Sequence, residues 1–165
     1  GDVVGLVNSD IFVIGDTVHT GPETKFEGIP RFSPEHFASA APDSPAKQKS
    51  FRKGLDALAA EGVVQILNPR DGRREPVLAA VGPLQFEVVT ARMLDEYDTP
   101  VRLEKLPYIA ARWVEKKDVP TLEMREMKIL DDVAGNVVTL FRSEWELRYF
   151  QETYPNIVLK STSGL

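Results

Sequence analysis

The spacing of apolar residues changes abruptly in the middle of the chain. Val77 to Val81 is a short unbroken apolar run, which predicts a strand in a packed core. Gly82 and Pro83 interrupt it, and proline suits the first position of a helix. Apolar residues then recur at helical spacing, with a core-facing stripe of Phe86, Val89, Met93 and Tyr97. A second apolar edge comprises Leu84, Val88 and Ala91. Two apolar edges predict that another layer or domain packs over this helix.

The segment before this unit predicts a strand and an amphipathic helix. The strand is expected at residues 29–33, where flanking prolines favour a sheet edge. The helix is expected to begin at Ser44 and Pro45 and to end at Gly62, since these residue types favour helix termini. Gly54 borders the apolar face of this helix, so we expect a neighbouring backbone to approach it closely.

The remaining elements of the central region complete a regular order. Residues 63–67 predict a strand, and an Asp71-Gly72 turn predicts that it forms a hairpin with the strand at 77–81. Residues 99–103 give a fourth strand. The order strand, helix, strand, strand, helix, strand is the ferredoxin-like, split βαβ arrangement.

The two ends of the chain have weaker patterns. Residues 3–7 and 11–14 predict a hairpin that needs a larger sheet to be stable, and a polar linker follows. Toward the C-terminus, Ser143 and Glu146 have the spacing of a capping box at the start of a helix. Strands are predicted at 109–114, 127–130, 137–141 and 157–160, with a short helix near Thr121. We therefore predict an α+β fold with three parts: 1–27, two strands of a larger sheet and a linker; 28–106, the ferredoxin-like unit; and 107–165, a further α/β segment.

Composition narrows the class of protein. The 165 residues are 42% hydrophobic and 27% charged, which is typical of a globular protein, and the formal charge of −5 argues against a general nucleic-acid coat. The sequence has no cysteine, which excludes disulfides and thiolate metal sites. No apolar run is long enough to span a bilayer and no signal-peptide pattern begins the chain, so we expect a cytoplasmic protein that does not contact membranes.

Motifs for common chemistry are missing from the sequence. It contains no Gly-x-x-x-x-Gly-Lys-Ser/Thr phosphate loop, no Gly-x-Gly-x-x-Gly and no Gly-x-Ser-x-Gly. His19 and His36 are too far apart and on different predicted elements, so no metal site is expected. The carboxylate pairs Asp131-Asp132 and Asp95-Glu96 lie in positions typical of turns or solvated helix faces.

Two basic groups are candidate contacts with phosphate. Arg70, Arg73 and Arg74 flank the Asp71-Gly72 turn, and a hairpin tip that projects arginines can reach a phosphate backbone. Lys49, Arg52 and Lys53 lie on the polar face of the first predicted helix. The alternative for each group is an ordinary solvated turn or helix face.

Several stretches together resemble a known family. The N-terminal GDVVGLVNSDIFVIGDTV resembles the last strands of the second-domain barrel of translational GTPases, in which a Gly-Asp-Thr like Gly15-Asp16-Thr17 closes the barrel. GIPRFSPEHF, KQKSFRKGLDALAAEGVVQ, AVGPLQFEVV and ARWV are, in this order and spacing, similar to the C-terminal part of the bacterial peptide chain release factor 3 family. Pro83 is the main departure, because the family pattern has an aliphatic residue there.

This resemblance implies a function for the longer protein. It implies a ribosome-bound GTPase, with GTP and Mg²⁺ held by an N-terminal domain outside this chain, that frees class-one release factors from the ribosome. Partners would be the ribosome, class-one release factors and that GTPase domain, with no DNA. No catalytic residue of the family is expected here. The alternatives are a fragment of an elongation-factor-type translocase and a ferredoxin-like metabolite-sensing module.

Overall fold

A computed structural model describes residues 2–5, 7, 15–24, 26, 32–70 and 75–162. The fold is α+β, as predicted, with seven strands and four α-helices in the described part. The strands are β1 His36–Pro42, β2 Gln65–Pro69, β3 Val77–Ala80, β4 Val101–Lys105, β5 Ala110–Val114, β6 Lys128–Asp132 and β7 Val137–Phe141. The helices are α1 Gln48–Ala60, α2 Leu84–Tyr97, α3 Val119–Met124 and α4 Glu144–Thr153, with 3-10 turns at Pro45–Lys47 and Lys116–Asp118.

All seven strands join one antiparallel sheet in the order β4-β1-β3-β2-β6-β7-β5. The elements β1 to β4, with α1 and α2, follow the strand-helix-strand-strand-helix-strand order expected from the sequence. Strand β2 pairs with β6 as well as with β3, so the sheet continues without a break into the C-terminal strands. The division of the chain at residue 106 stays a prediction.

Buried side chains form three hydrophobic clusters around this sheet. Helices α1 and α2 pack on one face of β1 to β4, around Phe51, Leu55 and Met93. Helices α3 and α4 pack against the C-terminal strands, around Phe141 and Phe150. A central cluster contains strand residues from both halves of the sheet: Phe37, Leu67, Val77, Ala79, Ala111, Trp113, Leu130, Val138 and Leu140. All nine lie on strands, so the two halves of the sheet pack against one another through these side chains.

Helix α1 has the termini and packing that its sequence favours. Pro45 opens the preceding 3-10 turn, and Gly62 adopts a φ of +77° at the C-terminal end of α1. The amides of Gly62 and Val63 donate to the carbonyls of Ala59 and Leu58, both at 3.0 Å, which is the Schellman pattern. Gly54 faces α2, where an added Cβ would lie 2.5 Å from the Met93 sulfur. The close neighbour is therefore a side chain, and not the backbone we expected.

The second apolar edge of α2 lies in solvent. Val89 and Met93 are fully buried, as predicted, and Phe86 and Tyr97 pack at the margin of the same core. The opposite edge is open, with Leu84 68% exposed and Val88 44% exposed. No element of the described chain covers this edge.

Three predicted strands differ from the structure. Residues 32 and 33 are not strand, 29–31 lie outside the described residues, and the first strand is His36–Pro42. This strand is rich in alanine and largely buried on both faces, so it lacks the alternation and β-branched residues that mark a strand. Residues 3–5 and 7 form no strand, since no sheet lies beside them, and 11–14 lie outside the described part. Residues 157–160 contribute a single bridge, Trp113 to Lys160, because the Pro155 turn leaves few extended residues.

Candidate nucleic-acid interface

The outer face of α1 carries cations that have no partner among the described residues. Lys49, Arg52 and Lys53 are exposed and make no hydrogen bond or ion pair with a described residue. Their positions are fixed because the opposite side of α1 is anchored by Phe51, Leu55 and Leu58, all at most 2% exposed. An anion can therefore bind these side chains without displacing an existing contact.

A shallow groove runs beside this face. It has a volume of about 260 Å³ and lies between α1 and the start of the β2–β3 hairpin. Arg52 and Asp56 line it from the helix, and Asn68 and Pro76 line it from the strands. The groove combines one cation with amide and carboxylate groups, which suits a polar ligand or an extended chain better than an apolar molecule.

Sheet topology brings Arg70 and the first turns of α1 to one end of the fold. Strand β1 runs antiparallel to β3, and the Ala40 amide donates to the Pro76 carbonyl at 3.0 Å. The last residues of β1 therefore lie beside the first residues of β3, at the end of the sheet where the hairpin turns. Helix α1 begins a few residues after β1, so its first turns lie near that same end.

Arg70 is bound within the protein. Its Nε donates to the two carboxylate oxygens of Asp131 at 2.9 and 2.8 Å, and its Nη2 lies 2.7 Å from one of them. Hydrogen bonding to Asp131 raises the pKa of Arg70. The pair ties β2 to β6, whose register places Asn68 opposite Asp131. Arg70 can contact a phosphate only by giving up this pair. Its partner is 61 residues away, which local sequence patterns do not reveal.

Arg73 and Arg74 lie outside the described residues, together with Asp71 and Gly72. The antiparallel pairing of β2 with β3 confirms the predicted hairpin. The role of its two tip arginines stays a prediction.

Three of the four carboxylates in the acidic pairs singled out in the sequence have partners among the described residues: Asp131, Asp132 and Glu96. The Asp132 carboxylate accepts hydrogen bonds from the backbone amides of Ala134 and Asn136, at 2.9 and 2.8 Å, and from the side chains of Asn136 and Trp113, each at 3.0 Å. Burial raises the pKa of Asp132, but these four hydrogen bonds outweigh it and lower the pKa overall. Glu96 accepts from Arg92, which also binds Glu61 and so joins α2 to the end of α1. The hydrogen bond from Arg92 lowers the pKa of Glu96 and of Glu61.

Metal-binding groups are not clustered in the described part of the chain, where no three of the His, Cys, Asp and Glu side chains could hold an ion together. His19 lies against the Gly21 carbonyl at 2.8 Å, and His36 opens β1. Within the same residues, no helix is long and apolar enough to cross a membrane. Among the described residues, the candidate that remains is the cationic face of α1.

Comparison with protein families assigns the fold to a known domain. Residues 26–151 match the family described as class II release factor RF3, C-terminal domain. The chain belongs to this family.

Relatives of the RF3 C-terminal domain extend over almost all of this chain. Peptide chain release factor 3 of Symbiobacterium thermophilum is 43% identical over 166 residues, covering 99% of the chain and 31% of the relative. The proteins of the same name from Synechococcus elongatus and Microcystis aeruginosa are 45% and 46% identical, covering 99% and 98% of the chain. The chain spans about three tenths of the length of these relatives.

Proposed function

We propose that this chain is the C-terminal part of a ribosome-dependent GTPase that promotes dissociation of class-one release factors from the ribosome after peptide release. The observation that carries the proposal is the match of residues 26–151 to the RF3 C-terminal domain. Relatives named peptide chain release factor 3 that extend over 98–99% of the chain support it. The work of such a protein lies in the cytoplasm, where ribosomes are.

In this proposal the chain holds no catalytic residue. GTP and Mg²⁺ are bound by a GTPase domain in the part of the protein outside the chain. The single continuous sheet joins all seven strands of the described fold, so we expect residues 36–141 to move together. A rigid body attached to a GTPase domain changes position when the nucleotide state changes, and that displacement does the mechanical work on the ribosome.

The ribosome contact is proposed at the outer face of α1, with Lys49, Arg52 and Lys53. These cations make no ion pair within the described part of the chain, and the groove beside Arg52 continues toward the hairpin. Arg73 and Arg74, which lie outside the described residues, stay proposed contacts on the strength of the sequence alone. Arg70 is the weakest member of the predicted set, because Asp131 already binds it.

The direct test is GTP hydrolysis by the native full-length protein, measured with and without ribosomes. Stimulation by ribosomes in the full-length protein and no hydrolysis by this chain is the expected result. A second assay then separates a release-factor recycler from a translocase. It measures the release of a fluorescently labelled class-one release factor from the ribosome as a loss of the ribosome-bound fluorescence signal. Absence of stimulation would contradict the proposal and favour the metabolite-sensing alternative, which a thermal-shift screen with amino acids and nucleotides would examine.

Replacing Lys49, Arg52 and Lys53 by alanine in the full-length protein tests the contact surface. We expect weaker ribosome binding, and a plot of log affinity against log salt whose slope is lower by roughly 2–3 because fewer counterions are released. Replacing Arg102 and Lys105 of β4 by alanine is the control, since these exposed cations lie at the sheet edge. An unchanged slope in the triple variant would remove α1 from the interface, whether or not the GTPase assay succeeds.

A further inference from the structure

A ladder of exposed aromatic rings lies on α4. Trp145 and Tyr149 stack with 5.2 Å between ring centroids and 8° between ring planes. Trp145 is 71% exposed, and Tyr149 is 44% exposed. The Arg125 guanidinium lies 5.9 Å from the Tyr149 centroid and 5.9 Å from that of Tyr154, so it extends the ladder at its inner end. The outer face of Trp145 is left open to solvent.

The ladder is held in place by the N-terminal cap of α4 and by the packing of α4 on the core. The Ser143 hydroxyl caps α4 by accepting from the Glu146 amide at 3.1 Å, and the Glu146 carboxylate accepts from the Arg142 amide at 2.5 Å. Phe150, one residue after Tyr149, is buried and packs edge-on against Phe141 at 5.8 Å. The rings of Trp145 and Tyr149 are therefore presented on a fixed helix face.

The end of α3 forms the other wall of this surface. The amides of Glu126 and Met127 donate to the carbonyls of Glu123 and Leu122, at 2.9 and 3.0 Å, in the Schellman pattern. Glu126 occupies the left-handed position of that pattern with a φ of +52°, where glycine is the usual residue. The chain thus keeps a carboxylate at this position despite its conformational cost.

A groove of about 400 Å³ separates the two walls, and Met124 beside it is 69% exposed. Tryptophan, tyrosine, methionine and arginine are enriched in protein interfaces, and tryptophan, tyrosine and arginine supply most binding hot spots. Stacked rings also lose little conformational freedom on binding, since each has only two side-chain torsions. The composition of the surface therefore favours a macromolecular partner.

The net charge of this surface indicates the class of partner. The end of α3 and the length of α4 carry five carboxylates, Glu123, Glu126, Glu144, Glu146 and Glu152, against two guanidiniums, Arg125 and Arg148. A phosphate backbone is repelled by this excess of negative charge. A cation is attracted by it and can stack on the open face of Trp145, which is the ring that binds cations best.

We propose that the surface formed by the end of α3 and by α4 docks a cationic protein segment, with an arginine or lysine side chain on the outer face of Trp145 and apolar side chains beside Met124. This surface belongs to the C-terminal half of the sheet, whereas α1 and its basic face pack on the half formed by β1 to β4. The inference goes beyond the proposed function and holds for this chain whether or not the longer protein is a GTPase.

Binding is tested with this chain and a fluorescein-labelled peptide of repeating Arg-Leu-Gly units, by fluorescence polarisation in low salt. The matched Glu-Leu-Gly peptide and a labelled oligouridine are the competing probes. We expect the arginine peptide to bind and the other two not to bind. Trp145→Ala should weaken its affinity at least tenfold, while Trp145→Phe, which keeps a ring, should stay within about threefold of wild type.

A pair of single-charge variants separates the site from general attraction to a chain of net charge −5. Glu126→Gln should weaken binding three- to tenfold, whereas Glu104→Gln on the distant strand β4 should leave it unchanged. Circular dichroism and denaturation midpoints establish that each variant folds. Equal affinity of Trp145→Ala and wild type would overturn the proposal, as would preference for oligouridine or failure of the arginine peptide to bind.

Discussion

Replacing Gly54 of α1 by alanine should have two opposing effects on the free energy of unfolding. Alanine is favoured over glycine within a helix by about 1 kcal/mol. The new methyl group, however, would lie 2.5 Å from the Met93 sulfur, 2.9 Å from its terminal carbon and 3.0 Å from a Tyr97 ring carbon. Met93 is fully buried, so its side chain cannot move into solvent to make room. Overpacking of a core costs roughly 1–3 kcal/mol. We therefore expect Gly54→Ala to lower the free energy of unfolding, by up to about 2 kcal/mol.

Shortening the opposing side chain should reverse the sign. In a Met93→Ala background the clash with the sulfur is gone, so Gly54→Ala should raise the free energy of unfolding by about 1 kcal/mol, the helix-propensity gain. The coupling between the two substitutions should then be roughly 1–3 kcal/mol, within the range seen for residues in contact.

Urea denaturation followed by circular dichroism at 222 nm measures all four members of this double-mutant cycle. Comparing Arg52→Ala with Arg52→Gly, at an exposed position of the same helix, calibrates the cost of glycine in α1. A stabilising effect of Gly54→Ala in the wild-type background equal to that calibration would refute the close approach of α1 and α2. Additivity within about 0.5 kcal/mol would refute it equally.

Two further predictions concern the C-terminal half. The Thr139 hydroxyl is fully buried and has no hydrogen-bond partner among the described residues, so Thr139→Val should raise the free energy of unfolding by about 1 kcal/mol; a loss in chemical denaturation would mean that the hydroxyl is satisfied. Asp132→Asn should cost roughly 1.5–3 kcal/mol at neutral pH, because hydrogen bonds to a charged acceptor are lost. The folded pKa of Asp132 lies below the unfolded value of about 3.9, so its stabilisation is complete above that value and is lost as the pH falls through the folded pKa. Denaturation midpoints of wild type and Asp132→Asn should therefore converge below about pH 4, and a constant gap would contradict the assignment.

Local patterns predicted the helices well because helix signals are contained within a few turns. The core stripe of α2, the capping box of α4 and the glycine that ends α1 each depend on residues at most four apart. Ser143 and Glu146 make the expected hydrogen bond, and Gly62 has the expected left-handed conformation. The family resemblance drawn from sequence is likewise confirmed by the match over residues 26–151.

Strand positions were harder to predict when burial on both faces removed the alternating pattern. Strand β1 has the sequence HFASAAP and lies between β3 and β4, where small residues fit beneath α1 and α2. Its alanines read as loop or helix in isolation, so tertiary packing overrides their weak strand propensity. Such a strand is recognisable only from the sheet that surrounds it.

The candidate sites also differ in how far local sequence patterns predict them. The polar face of α1 follows from periodicity, and in the structure its cations make no ion pair with a described residue. The pairing of Arg70 with Asp131 depends on β2 meeting β6, which no local pattern encodes. The stack of Trp145 on Tyr149 is a spacing of four residues on a helix, yet only the structure reveals that this face is turned away from the core.

The continuous sheet also determines how the protein unfolds. Strand β2 is paired on one side with β3 and on the other with β6, and the nine residues of the central cluster come from both halves. Neither half can open without exposing that cluster, so the described fold should melt as one cooperative unit. Its long-range pairings also raise the contact order, which slows folding relative to a helical domain of the same size. The β2–β6 pairing therefore couples the stability of the two halves, and destabilising variants there should lower a single unfolding midpoint shared by both.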